Sequence, residues 1–231
     1  MIRTRFLRGI FCLVILLGTG LACGQSGSSP IQPLASPLVT SDPSILFKDD
    51  FSNTSGEWGR VWDTADGSSV GYADSGYRIV ENKPQNISWG VTGKGSFDGD
   101  VVIEVDAIKK AGASDGLFGV ICRDELVNGQ EHFYFMVFDG SSTASINKLA
   151  DNSVTSLAVA HPDPIPAVEQ GSQVHVRAEC EGNRLSLFVD DQQLVTATDD
   201  SFSTGDAGLI AGSADTPGTD VFFDNFIIHR P

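Results

Sequence analysis

The chain has 231 residues and carries 15 Lys and Arg against 30 Asp and Glu, a formal net charge of −15. A surplus of that sign repels phosphate backbones and anionic bilayer surfaces, so nucleic acid and charge-driven membrane contact are set aside as partners. Neutral ligands, divalent cations and simple solubility remain compatible with it.

At the N-terminus, Arg3, Arg5 and Arg8 precede "GIFCLVILLGTGLA", fourteen apolar or small residues. A helix of that length rises about 21 Å, short of the roughly 30 Å hydrocarbon core. A basic start, a short apolar middle and a small-residue end predict a secretory signal over residues 1–22 rather than a membrane span. Its removal leaves 12 basic against 30 acidic residues, a charge of −18. "GLAC" followed by Gly24 resembles the bacterial lipoprotein signal, in which the cysteine is lipidated and becomes the mature N-terminus. Ala22 matches that pattern. Gly20 stands where a Leu is usual, with Leu21 one place late. The resemblance implies lipidation of Cys23 and a membrane anchor on the outer side, since two or more acyl chains hold a protein stably. An ordinary signal cut nearby is the alternative, leaving Cys23 free or removed. The stretch that follows, 24–44, has four prolines, six serines and no apolar period. With Cys23 it reads as a disordered tether, 23–44.

Residues 45–231 are predicted to form one β-rich domain. Short runs of alternating apolar and polar residues occur at 45–51, 77–81, 86–91, 100–109, 117–123, 132–139, 144–150, 153–160, 172–180, 184–190, 193–199, 207–212 and 220–229. Gly-, Asn- and Asp-rich breaks separate them, and no sustained helical period appears, though "DELVNG" has the composition of one helical turn. The expected fold is all-β, an antiparallel two-sheet sandwich. "EGN" (181–183) and "DDQ" (190–192) are expected as tight hairpin turns. "LFKDDFS" and "VFFDNFI" share a Phe-acid-Phe pattern, so the first and last strands are expected to pair. Cys122 and Cys180 both sit in strand-like runs. Two cysteines in an oxidising compartment are most simply a disulfide, the alternative being two buried thiols.

"GLFGVICRDE", "NGQEHFYFMVFDG", "VHVRAECEGNRLSLFVDDQQLVTATDDSFSTGDAGLIAG" and "VFFDNFIIHRP" together resemble the concanavalin A-like jelly-roll domains, close to the laminin-G type. They are most similar to the family-16-like, 3-keto-disaccharide hydrolase branch. The resemblance covers about residues 46–231. It implies a sandwich whose concave face often holds glycans, and says little about activity.

"IEVDAIKK" puts Glu104 and Asp106 on one strand face, about 7 Å apart. Family-16 glycosidases resemble this with Glu-x-Asp-x-(x)-Glu, but here Ile108 or Lys109 takes the place of the last acid. Retaining hydrolysis needs two carboxyls across the bond, so no catalytic residue is assigned. No Gly-x-Ser-x-Gly elbow and no His-x-x-x-His pair occurs. Binding is favoured over catalysis, with a carbohydrate or cell-wall glycan as ligand. A divergent hydrolase and an adhesion or scaffold module are the alternatives. A glycan site needs aromatic faces and a few fixed polar groups. Trp89, Arg123, His132, Tyr134 and Lys148 are the candidates. Trp58, Trp62 and Tyr72 are further aromatic ones, and core packing is the competing use of every Trp. No cofactor is assigned with certainty; a structural Ca²⁺ at Asp50 and Asp224 is one further use of these acids, which with Asp49 would meet if the terminal strands pair. The competing use of these acids is to accept turn hydrogen bonds.

Overall fold

The computed structural model describes residues 42–56, 58, 62–162 and 170–231. The leader, Cys23 and most of the tether therefore lie outside the described residues. Ser41–Pro231 form a compact unit of their own. The described residues contain strands and turns and no helix. In chain order the strands are β1 (Ile45–Asp49), β2 (Trp62–Asp63), β3 (Ser69–Ala73), β4 (Gly76–Glu81), β5 (Asn86–Val91), β6 (Phe97–Asp98), β7 (Val101–Ala111) and β8 (Leu117–Val127). They continue with β9 (Gln130–Phe138), β10 (Ala144–Ala150), β11 (Ser153–Ala160), β12 (Gln173–Glu181), β13 (Arg184–Val189), β14 (Gln192–Thr198), β15 (Thr204–Ser213) and β16 (Thr219–His229).

The strands form two antiparallel sheets. One has nine strands in the order β14-β13-β12-β7-β16-β4-β3-β2, with β1 also on β16. The other has seven, β11-β10-β9-β8-β15-β5, with β6 also on β15. Every predicted strand run is a strand. The sequence reading missed β2, β3 and β6, whose Gly and Ser content or two-residue length leaves no alternation to read. The helical turn that the composition of "DELVNG" allows does not form. There β8 instead runs on to Val127, and Asn128 and Gly129 turn the chain at φ 53° and 81°. The terminal strands pair as expected, Ile45 opposite His229 and Asp49 opposite Phe226. Both expected tight turns form. Gly182 takes φ 54°, and Asp190 and Asp191 take 47° and 63°, the pair of positive values that a two-residue hairpin turn requires.

Alternation builds the core. On β7, Val101, Ile103, Val105 and Ala107 point into the space between the sheets, while Glu104, Asp106 and Ile108 point out. Facing residues come from β9 (Tyr134, Met136, Phe138) and β15, and β16 adds Val221 and Phe223 beside β7. Each such large side chain contributes about 1.5–3 kcal/mol on burial. One end is filled by aromatic rings: Trp58 lies 4.7 Å from Tyr77, 5.0 Å from Phe226 and 5.1 Å from Phe51, centroid to centroid. A disulfide between Cys122 on β8 and Cys180 on β12 joins the two sheets. Closing a loop over the 58-residue separation contributes roughly 4 kcal/mol in the chain-entropy view.

Next to Cys122 the β8–β9 register shifts, and Arg123 sits at φ 60°. Gly205 on β15 faces this bulge. A Cβ there would lie 2.4 Å from the Arg123 carbonyl carbon, so only glycine lets the two backbones approach.

Candidate glycan-binding groove

The outer face of an antiparallel sheet is usually solvated and polar. Here the outer face of the seven-stranded sheet is apolar. Phe133, Phe135 and Val137 of β9 point away from the main core and pack with Ile121, Leu149 and Ile210, all at most 8% exposed. Ile87, Trp89 and Leu117 lie against this second cluster. The Trp89 ring is 5.3 Å from that of Phe133, and Trp89 stands opposite Ile210 in the β5–β15 register.

Above the cluster is a groove of about 470 Å³. Gln85, Asn86, Ile87 and Trp89 line it from one edge of the sheet, and Asn152 and Val154 from the other. Residues of both edges can share one hollow only if the sheet curls around it. The floor is Leu117, Phe135, Val137 and Leu149, with Ser145 and Asn147 beside them. The Asn147 amide donates to Ser145 Oγ at 2.9 Å, and that of Asn86 donates to Glu81 Oε2 at 2.8 Å. These side chains are held in place while their remaining donors and acceptors stay available to a ligand. The groove offers one half-buried indole, an apolar floor and a rim of amides and one hydroxyl. Such a surface stacks on the C–H face of a ring and hydrogen-bonds its hydroxyls.

Of the sequence candidates, Trp89 lies in this groove. Arg123, Tyr134 and Lys148 lie on the other side of the same sheet, around internal partners. Arg123 is 3% exposed, and its guanidinium donates to the carbonyls of Gly182 (2.8 Å), Phe202 (2.9 Å) and Cys180 (3.2 Å). The Tyr134 hydroxyl donates to Asp199 and accepts from the Phe202 amide at 3.0 Å. Burial, and then the Asp199 bond, push this phenol up to about 12. Lys148 Nζ donates to Asp199 Oδ2 at 2.8 Å and to Ser201 Oγ at 2.7 Å. Burial pushes Asp199 up, but bonds from Lys148, Ser201 and Tyr134 outweigh it and hold the carboxyl well below its ordinary range. His132 sits nearby, its ring 5.8 Å from Phe202 and its Nε2 accepting from the Asp151 amide. The structure thus gathers these four residues together, away from Trp89, as clamps on residues 199–202.

Trp58 is core, its indole donating to Asp49 Oδ2 at 3.0 Å, and Trp62 and Tyr72 pack beside it. Asp50 accepts from the Ser52 amide and hydroxyl, and Asp224 from the Asn225 amide. Among the described residues, no group of three or more His, Cys, Asp or Glu side chains is arranged to hold a metal ion. Each of these two acids accepts a local hydrogen bond.

Glu104 and Asp106 form a second polar assembly, on the outer face of the nine-stranded sheet. His175 of β12 bridges them, Nδ1 at 3.0 Å from Asp106 and Nε2 at 2.8 Å from Glu104. His229 Nε2 lies 2.8 Å from the other Glu104 oxygen, and the Asn225 amide donates to Asp106 at 2.9 Å. Burial pulls the His175 imidazole down, but the two carboxyls outweigh it and hold it above its ordinary value. Burial pushes Glu104 up, and the two histidines bring it below its own. No spacing in the sequence marks these two histidines, 54 positions apart, as partners of the acids. The β7–β12 register sets His175 opposite Asp106, and the pairing of β16 with β7 brings His229 to Glu104.

No known family's sequence profile matches the chain, and no curated protein matches it. Solved structures do match in shape. A carbohydrate-binding module, CBM66, from Bacillus subtilis is 20% identical, with a TM-score of 0.55 over 75% of this chain and 96% of that one. A B. subtilis protein of unknown function with a galectin-like fold is 10% identical, with a TM-score of 0.63 over 82% and 97%. A β-1,3-1,4-glucanase (lichenase) from a mouse hindgut metagenome is 14% identical, with a TM-score of 0.57 over 80% and 98%. At these identities the likeness is one of fold, and the fold is the concanavalin A-like jelly roll.

Proposed function

We propose that the protein binds carbohydrate in the groove of the seven-stranded sheet and does not hydrolyse it. The observation that carries this reading is the groove itself, an apolar trough with Trp89 on one wall and Asn86, Asn147 and Asn152 along its edges. Two of the similar folds, a carbohydrate-binding module and a lichenase, are named for action on glycans, which supports the ligand class. Binding is favoured over hydrolysis because glycosidases need two carboxyls facing one bond. The groove lining contains neither Asp nor Glu, Asp139 of the adjoining hollow has both oxygens taken up by its own turn, and Glu104 and Asp106 belong to the other sheet, engaged by His175 and His229. The test is a glycan array with the purified chain, read for retained binding and released sugar. Retention without product, lost in Trp89→Ala, is the expected result. A blank array would replace this reading with that of a protein-contact module.

We also propose that a lipid on Cys23 holds the domain at the outer side of the membrane, with the Pro- and Ser-rich stretch as its leash. Membrane fractionation of Cys23→Ser tests this. Release into the soluble fraction is expected, and retention refutes the anchor.

A further inference from the structure

A further selectivity follows if the groove binds glycans, and it rests on that reading. The groove is contiguous with a smaller hollow of about 160 Å³, because Leu117, Val137 and Ser145 line both. The hollow adds Asp115 and Asp139, and among the described residues no Lys, Arg or His lines either part. The Lys109 ammonium is buried and donates to the carbonyls of Ala113 and Gly116. Its charge is turned into the protein, towards the same two acids. Asp139 is occupied by its own turn, accepting from Ser141 and Thr143. Asp115 differs, since its Oδ1 is buried and has no hydrogen-bond partner among the described residues. A buried acceptor without a donor is unfavourable, and a donor supplied by a ligand relieves it.

We propose that groove and hollow form one continuous site for uncharged sugars, in which Asp115 accepts a ligand hydroxyl beyond Leu117, and that the site rejects sugars bearing a carboxylate. A sugar carboxylate in the groove would shed water, meet no cation, and face Asp115 and Asp139 at one end of the site. An unpaired buried charge is among the most unfavourable events in binding.

The test is calorimetric titration of the purified chain with hexasaccharides in matched pairs. β-1,3- and β-1,4-linked glucose hexamers are each compared with the same hexamer oxidised to the uronic acid at C6. The neutral member of a pair is expected to bind at least tenfold more tightly. Asp115→Ala should weaken the neutral hexamer several-fold. Ser145→Lys places a cation where the two hollows meet, and should improve the oxidised member relative to the neutral one at least tenfold. Equal affinity for both members, or no response to Ser145→Lys in a variant that melts like the parent, overturns the selectivity while leaving glycan binding intact. Failure of every hexamer to bind rejects the binding reading itself, and the selectivity with it.

Discussion

On β9, Phe133, Phe135 and Val137 face away from the main core, and on β7 Glu104, Asp106 and Ile108 do the same. Both sets are outer-face residues of an antiparallel sheet, yet they form opposite environments. The first builds a neutral, apolar trough, and the second a charged lattice tying β12, β7 and β16 together. A trough without charges can take up a ligand with little electrostatic rearrangement. A lattice whose oxygens and ring nitrogens are already engaged has less to offer an incoming molecule, and acts on stability instead.

Four experiments break or sharpen this contrast. The largest effect belongs to neither face. Replacing Cys122 and Cys180 with Ala unlinks the two sheets and should lower stability by roughly 4 kcal/mol. Denaturant melts of the folded variant should move while its glycan affinity stays, and two free thiols in the oxidised parent protein would remove the premise. Next, Trp89→Ala should lose at least tenfold in glycan affinity, about 1.4 kcal/mol, whereas Glu104→Gln should lose none. A loss with Glu104→Gln and not with Trp89→Ala would exchange the roles of the two faces.

The third concerns pH. The His175 value is raised above its ordinary 6.5, so its contribution is complete below that pH and fades as pH rises through the folded-state value. The Glu104 value is lowered below its ordinary 4.5, so its contribution is complete above that pH and fades as pH falls through the folded-state value. Both act together between about 4.5 and 6.5. His175→Gln should therefore destabilise the protein most in that window, by up to about 1 kcal/mol given its partial exposure. A pH-independent loss would assign His175 to packing alone. The smallest effect is that of a chelator. Among the described residues no third acid or histidine joins Asp50 and Asp224 as a ligand group, so the melting temperature should not move. A drop of several degrees would restore a bound cation to the β1–β16 edge.

The sandwich was legible because alternation is local. "VVIEVDAIKK" needs no partner to reveal which side is buried, and "EGN" and "DDQ" announce their turns by residues that tolerate positive φ. The pairing of Cys122 with Cys180 was equally open, since of the four cysteines Cys12 lies in the signal segment and Cys23 at its end, which leaves one bridge to draw. The site was legible only in part. Trp89 stood out as an aromatic in a strand, but its neighbours in the groove are common residues, Asn147, Ser145 and Asn152, with nothing to mark them. Tyr134 and Lys148 share a parity on paired strands, and the sequence does not say whether that parity faces ligand or core. Alternation assigns two faces to a strand without naming them. The names come from which sheet the strand joins, from how that sheet curls, and from the register that sets His175 beside Asp106. Those are long-range contacts between residues tens of positions apart. Composition, periodicity and turn chemistry determined that this chain is a disulfide-linked β-sandwich. Only the tertiary structure decided that one outer face is a neutral groove and the other a carboxylate–histidine lattice.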